Sequence, residues 1–124
     1  MTAGVYEIKN TATGRSYIGI SKNIEKRARR HLQELRNGQH ARNEMQEDAD
    51  RQGLSAFEVW ILSEGEATNN EFDEGRFLGA RIYFSGAHSV YNADLALAKS
   101  IIYAHEQGLE NLKLYTKTQQ RRIL

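Results

Sequence analysis

No cysteine occurs anywhere in the chain, which excludes disulfides and thiolate-bound zinc and removes any need for an oxidising compartment. No apolar run approaches the roughly 20 residues that cross a bilayer, and the first residues carry no basic segment followed by an apolar stretch of the signal-peptide kind. A soluble, cytoplasmic protein without a membrane partner is expected. Internal repeats and low-complexity linkers are also missing, and 124 residues are about one domain, with a real core but no room for a separate recognition domain of normal size. Strong net charge is lacking too, at only +1.

What charge there is lies unevenly. Residues 1 to 43 hold nine Lys/Arg against three Asp/Glu, residues 44 to 80 two against ten, and residues 81 to 124 six against three. A basic first third gathered on one face would contact phosphates, and an acidic middle could hold a divalent cation. An ordinary solvated surface accounts for the same counts, so charge alone does not decide.

Near the start, Gly4-Val5-Tyr6 and Tyr17-Ile18-Gly19 flank the turn formers Asn10-Thr11-Ala12-Thr13-Gly14. β-favouring residues on both sides make this a β-hairpin, which would bring Tyr6 and Tyr17 together. Ser21 or Asn23 then offers a helix N-cap. From Ile24 to Arg36, at about 100° per residue, Ile24, Ala28, Leu32 and Leu35 fall within an arc of about 80°, an amphipathic helix that Asn37-Gly38 stops. Lys26, Arg29 and Arg30 point away from that stripe. A shallower helix is expected over 40 to 52 and a sheet strand over Phe57 to Leu62, joining the hairpin. Residues 63 to 69 read as a loop, and a further helix runs from about Asn70 to Phe84 despite Gly75 and Gly79. Val90-Tyr91-Asn92 reads as an edge segment, and Asp94 caps a last helix from Leu95 to about Gln107, ended by Gly108. The basic tail from Lys117 to Leu124, with Arg121 and Arg122, is expected to fray.

Arg27 and His31, four apart, share a helix face within reach of the strand tyrosines. Singly, a histidine at the edge of an apolar stripe is usually a packing residue and an arginine on a basic helix usually a solvated one. Two hairpin tyrosines followed by this pair are a much more specific constellation.

The two tripeptides, Arg27 and His31 resemble the GIY-YIG nuclease family, over about Gly4 to Asn92. Glu7 to Thr11, Glu25 to Arg27, Arg30-His31, Gly38, His40, Met45-Gln46, Gly53, Phe57 and Ile61-Leu62 resemble in particular the catalytic domains of phage intron homing endonucleases. The resemblance implies an α/β (α+β) fold, a small three-stranded, mainly antiparallel sheet flanked by helices, with a nuclease domain over 1–94 and an extra C-terminal helix in an extension over 95–124. It implies a metal-dependent endonuclease hydrolysing DNA phosphodiester bonds. Tyr6, Tyr17, Arg27, His31 and Glu74 would be catalytic, with Glu74 the ligand of one Mg²⁺ or Mn²⁺, Glu71 its competitor, and Gly19, Lys26, Arg30 and Asn92 on the substrate. Arg27 would bind phosphate and Tyr6 would be the general base, hydrogen-bonded to Tyr17 and assisted by His31. The DNA could be single-stranded, branched or duplex, and the protein a monomer or a dimer formed on DNA. The alternative is a non-catalytic nucleic-acid-binding module on the same fold. Departures from the family pattern include Val5 for isoleucine in the first tripeptide, the two glycines in the ligand helix, and an extension without counterpart.

Overall fold

Strand alternation sends Tyr6 and Ile8 of β1 (Gly4–Asn10) to one face of a sheet and Val5 to the other. The computed structural model describes residues 1–65, 70–105, 108–116 and 121–124. After the turn, β2 (Ser16–Ser21) returns antiparallel to β1, with Tyr6 opposite Gly19 and Ile8 opposite Tyr17. On the other side of β1 runs β3 (Phe57–Glu64), also antiparallel, with a register shift between Val5 and Tyr6. These are the three expected strands.

The tail departs from expectation. Arg121–Arg122 form β4, antiparallel to β3 opposite Trp60 and Ile61, and the sheet order is β2-β1-β3-β4. Instead of fraying, this end is held by main-chain bonds: Ile123 N donates to Val59 O (2.8 Å) and Val59 N to Leu124 O (2.9 Å). Ion pairs of Arg121 with Glu64 (2.8 Å) and Arg122 with Glu58 (3.2 Å) add to them. Residues 117–120 of the tail, 66–69 of the expected loop and 106–107 at the expected end of the last long helix lie outside the described residues.

The helices form two layers. The first, α1 (Ile24–Arg36), is capped by Asn23, whose side chain accepts from Lys26 N at 3.1 Å, while Ser21 supports the cap by accepting from Asn23 N. It and α2 (Asn43–Gln52) cover Tyr6, Ile8 and Ile61 with Ile24, Leu35 and Met45. On the opposite face, α3 (Asn70–Ser85) and α4 (Ala96–His105) cover Val5, Ile18 and Leu62 with Phe77, Leu78 and Ala98. Asp94 accepts from Ala96 N at 3.2 Å, as the cap reading expected. Beyond Gly108 a short α5 (Leu109–Lys113) follows, so the extension holds two helices among the described residues rather than one. No helix among them is long and apolar enough to cross a membrane.

The glycines of α3 are explained by α4. A Cβ at Gly75 would lie 2.6 Å from Ile101 Cδ1 and 3.0 Å from Leu97 Cγ, and one at Gly79 would lie 3.3 Å from the Ala98 carbonyl oxygen. Spaced four apart, they open a groove on one helix face into which α4 packs. The glycines and the extension are two sides of one contact.

Beneath α3 sits a buried charge. Glu7, fully buried, pairs with Arg81 Nη1 at 2.5 Å and accepts from Ser16 Oγ at 2.5 Å. Both partners offset the large cost of removing a carboxylate from water, tying β1 to β2 and α3.

Candidate active site

The hairpin and α1 deliver four of the expected residues to one place. Tyr6 and Tyr17 share a sheet face, their ring centroids 6.2 Å apart. His31, on the buried side of α1, packs its ring 5.2 Å from that of Tyr17 and bonds the Tyr6 hydroxyl through Nε2 at 2.9 Å. The Arg27 guanidinium and the Tyr17 phenol also engage the Tyr6 hydroxyl. Tyr17, Arg27, Arg30 and His31, with His40 and Arg42, line a cleft of about 380 Å³. A shallower one of about 230 Å³ continues from it along Arg27, Arg30, Lys26 and Lys22. The charge asymmetry of the sequence is thus realised as a basic track on the exposed side of α1.

His40 and Arg42 do not emerge from helical spacing. Gly38 takes a positive φ of 70° after α1 and redirects the chain, bringing His40 against His31 with Nε2 and Nδ1 2.8 Å apart. Arg42 lays its guanidinium over the Tyr17 ring, 4.8 Å from the centroid. The signal for them was the Asn37-Gly38 stop itself, which confines the next residues to the end of α1.

Hydrogen-bond polarity along this row follows from its far end. The Arg42 backbone N–H donates to His40 Nδ1 (3.1 Å), so that nitrogen carries no proton in the neutral ring and His40 must donate from Nε2 to His31 Nδ1. His31 then donates from Nε2 to the Tyr6 oxygen, and Tyr6 can pass its own hydroxyl proton toward Tyr17. Both imidazoles favour this neutral form: burial above all, with the neighbouring His40 and Arg27, pulls His31 down to about 4, and burial lowers His40.

Tyr6, expected as the general base, stands behind the lining of the cleft. It is only 1% exposed, does not line the cleft, and burial, with Tyr17 beside it, raises its pKa, which Arg27 only partly opposes. Gly19, expected on the substrate, is buried and lies under the Tyr6 ring, where a Cβ would be 2.7 Å from the hydroxyl oxygen.

Asn92, expected on the substrate, braces the hairpin. Its amide spans the Ile18 main chain, accepting from Ile18 N at 3.0 Å and donating to Ile18 O at 2.7 Å, between Tyr17 and Gly19. The preceding Tyr91 donates to Asp48 (2.6 Å) and accepts from Asn10 (3.2 Å); burial, with the Asp48 bond, pushes its phenol up to about 12.

Glu74, on the first turns of α3, is partly buried, and among the described residues no hydrogen bond or ion pair engages its carboxylate. Burial raises its pKa first, Glu71 and Asp94 add to the effect, and Arg42 opposes it. A half-buried carboxylate among other carboxylates gains from a divalent cation what it loses in hydration, so the donor set fits a hard cation. No group of three or more His, Cys, Asp or Glu gathers among the described residues, so such an ion would keep several waters, as Mg²⁺ does. Glu71 is exposed and near enough to act on Glu74.

Comparisons with known proteins show the family and the fold. The model of the GIY-YIG catalytic domain matches residues 2–74. Intron-associated endonuclease 1 of Enterobacteria phage T4 is 39% identical over 64 residues, which are 52% of this chain and 26% of that protein, so the chain spans about a quarter of that relative. Among solved structures, the catalytic domain of the homing endonuclease I-TevI superposes with a TM-score of 0.62 at 29% identity, covering 74% of this chain and 99% of that one. A point mutant of the same I-TevI domain gives 0.63 at 31% identity, covering 77% and 97%.

Proposed function

Since the chain belongs to the GIY-YIG family of nucleases, we propose that it hydrolyses phosphodiester bonds of DNA in the cleft lined by Tyr17, Arg27, His31 and Arg42, with the help of a divalent cation held by Glu74. The observation that carries this reading is the convergence of tyrosine, arginine and histidine on one basic cleft, with Glu74, unpaired among the described residues, close enough to Arg42 to feel its charge.

Hydrolysis requires a positioned phosphate, a deprotonated water and a stabilised leaving oxygen. Arg27 presents a planar fork to the non-bridging oxygens, a geometry that lysine lacks, and Lys26 and Arg30 hold the adjoining backbone. A bound Mg²⁺ or Mn²⁺ would supply Lewis-acid stabilisation of charge on the phosphate and leaving oxygens.

The water's proton goes to Tyr17, the tyrosine that faces the cleft. The row His40, His31, Tyr6 points its donors one after another toward the Tyr17 oxygen. Tyr6 is thus placed to donate to the oxygen of Tyr17, and Arg42 lies over its ring. Tyr6 and His31 are positioning residues in this scheme, and Asn92 holds Tyr17 in register.

Cleavage of matched single-stranded, duplex and branched DNA, with and without Mg²⁺, tests the proposal on wild type, Arg27→Ala, Glu74→Ala, Tyr17→Phe and Tyr6→Phe. Wild-type cleavage is expected to be lost in the first two, and to fall by at least about a hundredfold in Tyr17→Phe, within the usual contribution of general-base catalysis. Tyr6→Phe should retain more activity than Tyr17→Phe. Salt-sensitive binding with no cleavage of any substrate would instead support a binding module.

A further inference from the structure

A second, larger cleft of about 500 Å³ adjoins the first, sharing Ala41 and Arg42 with it. One wall is the start of α2, with Asn43 and Glu44, and the other is the segment after α3, from Ala87 to Ala93. Its electrostatics differ from those of the basic cleft. Arg15, the one cation it does not share with that cleft, is already engaged: it pairs with Glu44 and, at 3.6 Å, with Asp48, donates from Nε to the His88 carbonyl oxygen at 2.8 Å, and stacks 4.4 Å from the Tyr91 centroid. Asn92 spends its amide on Ile18. Two polar side chains remain, Asn43 and His88, one from each wall, both exposed and neither with a hydrogen-bond partner among the described residues. The surfaces of Ala41, Ala87, Ala93 and Val90 line the space between.

A cleft whose own arginine is paired, with apolar faces and free amide and imidazole groups, suits a nucleobase better than a phosphate. Its volume falls in the range of small-ligand sites, on the order of 300–1,000 Å³. Because the two clefts meet at Arg42, a strand whose phosphate lies against Arg27 and Arg42 would place its next base there. We propose that this cleft is the subsite for the nucleobase flanking the scissile phosphate, read at its edge by Asn43 and His88. The inference rests on the nuclease reading and adds a sequence preference to it. An amide offers a donor and an acceptor side by side, the pattern that pairs with adenine, whereas a carboxylate accepts only and pairs with the cytosine amino group.

The experiment is cleavage of a DNA pool randomised around the cut, with the new ends sequenced, by wild type, Asn43→Asp and His88→Ala. Wild type should show a preference at one position beside the cut. Asn43→Asp should shift that position toward cytosine by roughly tenfold, the scale of one side-chain-to-base contact, and His88→Ala should flatten the same position. End profiles of both variants that superimpose on that of wild type would overturn the subsite, as would a uniform drop across all sequences. A pool that wild type leaves intact would overturn the nuclease reading and this inference with it.

Discussion

The Tyr6 hydroxyl occupies the space where any side chain at position 19 would begin, 2.7 Å from the Cβ that Gly19 lacks. The glycine of the second tripeptide and the tyrosine of the first are therefore one packing unit across the hairpin.

Gly19→Ala should accordingly displace Tyr6 and, through it, His31. A loss of about 1–3 kcal/mol, usual for overpacking a tight site, is expected in thermal or denaturant unfolding, together with reduced cleavage. In a double-mutant cycle, Tyr6→Ala should remove most of the stability penalty of Gly19→Ala. Strictly additive losses would mean that the two residues do not meet as described.

Acid should weaken the fold in a window set by His31. Its folded pKa, about 4, lies below the ordinary value of 6.5, so between these pH values the unfolded chain binds the proton more readily and stability falls as pH falls. The loss is fully developed below pH 4 and absent above 6.5. From a shift of this size it amounts to about 3 kcal/mol. Urea unfolding followed between pH 7 and pH 4 should show a flatter profile for His31→Gln than for wild type. The Glu25 carboxylate, held down to about 2 by bonds from Thr2, weakens the fold in the same direction, but only below its ordinary value of 4.5, where the His31 loss is nearly complete.

Arg81→Met should cost several kcal/mol, roughly 3–5, because it strips a cation from the buried Glu7. Adding Glu7→Gln should recover part of that loss by neutralising the buried carboxylate. Equal midpoints for Arg81→Met and wild type in urea would contradict the pairing.

At Gly75 two effects oppose. Alanine gains about 1 kcal/mol in helix propensity but must push Leu97 and Ile101 aside. Valine brings two γ-carbons into the same space and should unseat α4. Hydrogen exchange of Gly75→Val should rise over residues 96–105 and stay near wild type over residues 24–36.

The hairpin half of the site was legible because its determinants are local. A turn, two alternating strands and a helix with Arg and His four apart sit within one short stretch, and each signal is a spacing. The burial of Tyr6 behind the cleft lining was not legible, since it comes from α1, α2 and β3 together. His40 and Arg42 sit in a connection without periodicity. Gly75 and Gly79 looked like flaws in a helix because their reason lies on α4, some 20 residues further on. Arg121 and Arg122 read as a loose tail because two residues make too short a strand for alternation to register, and β3 decides their fate.

The bracing of Ile18 by Asn92, 74 residues away along the chain, has a consequence for the order of assembly. Tyr6, Tyr17, Arg27 and His31 all lie in the first quarter of the chain and can gather through contacts that close quickly. Glu74, Arg81 and Asn92 must wait for long loops to close, which is slow. A refolding chain should therefore acquire its phosphate-binding face early and its carboxylate late. A population that binds DNA before it can cut would then mark the interval between the two.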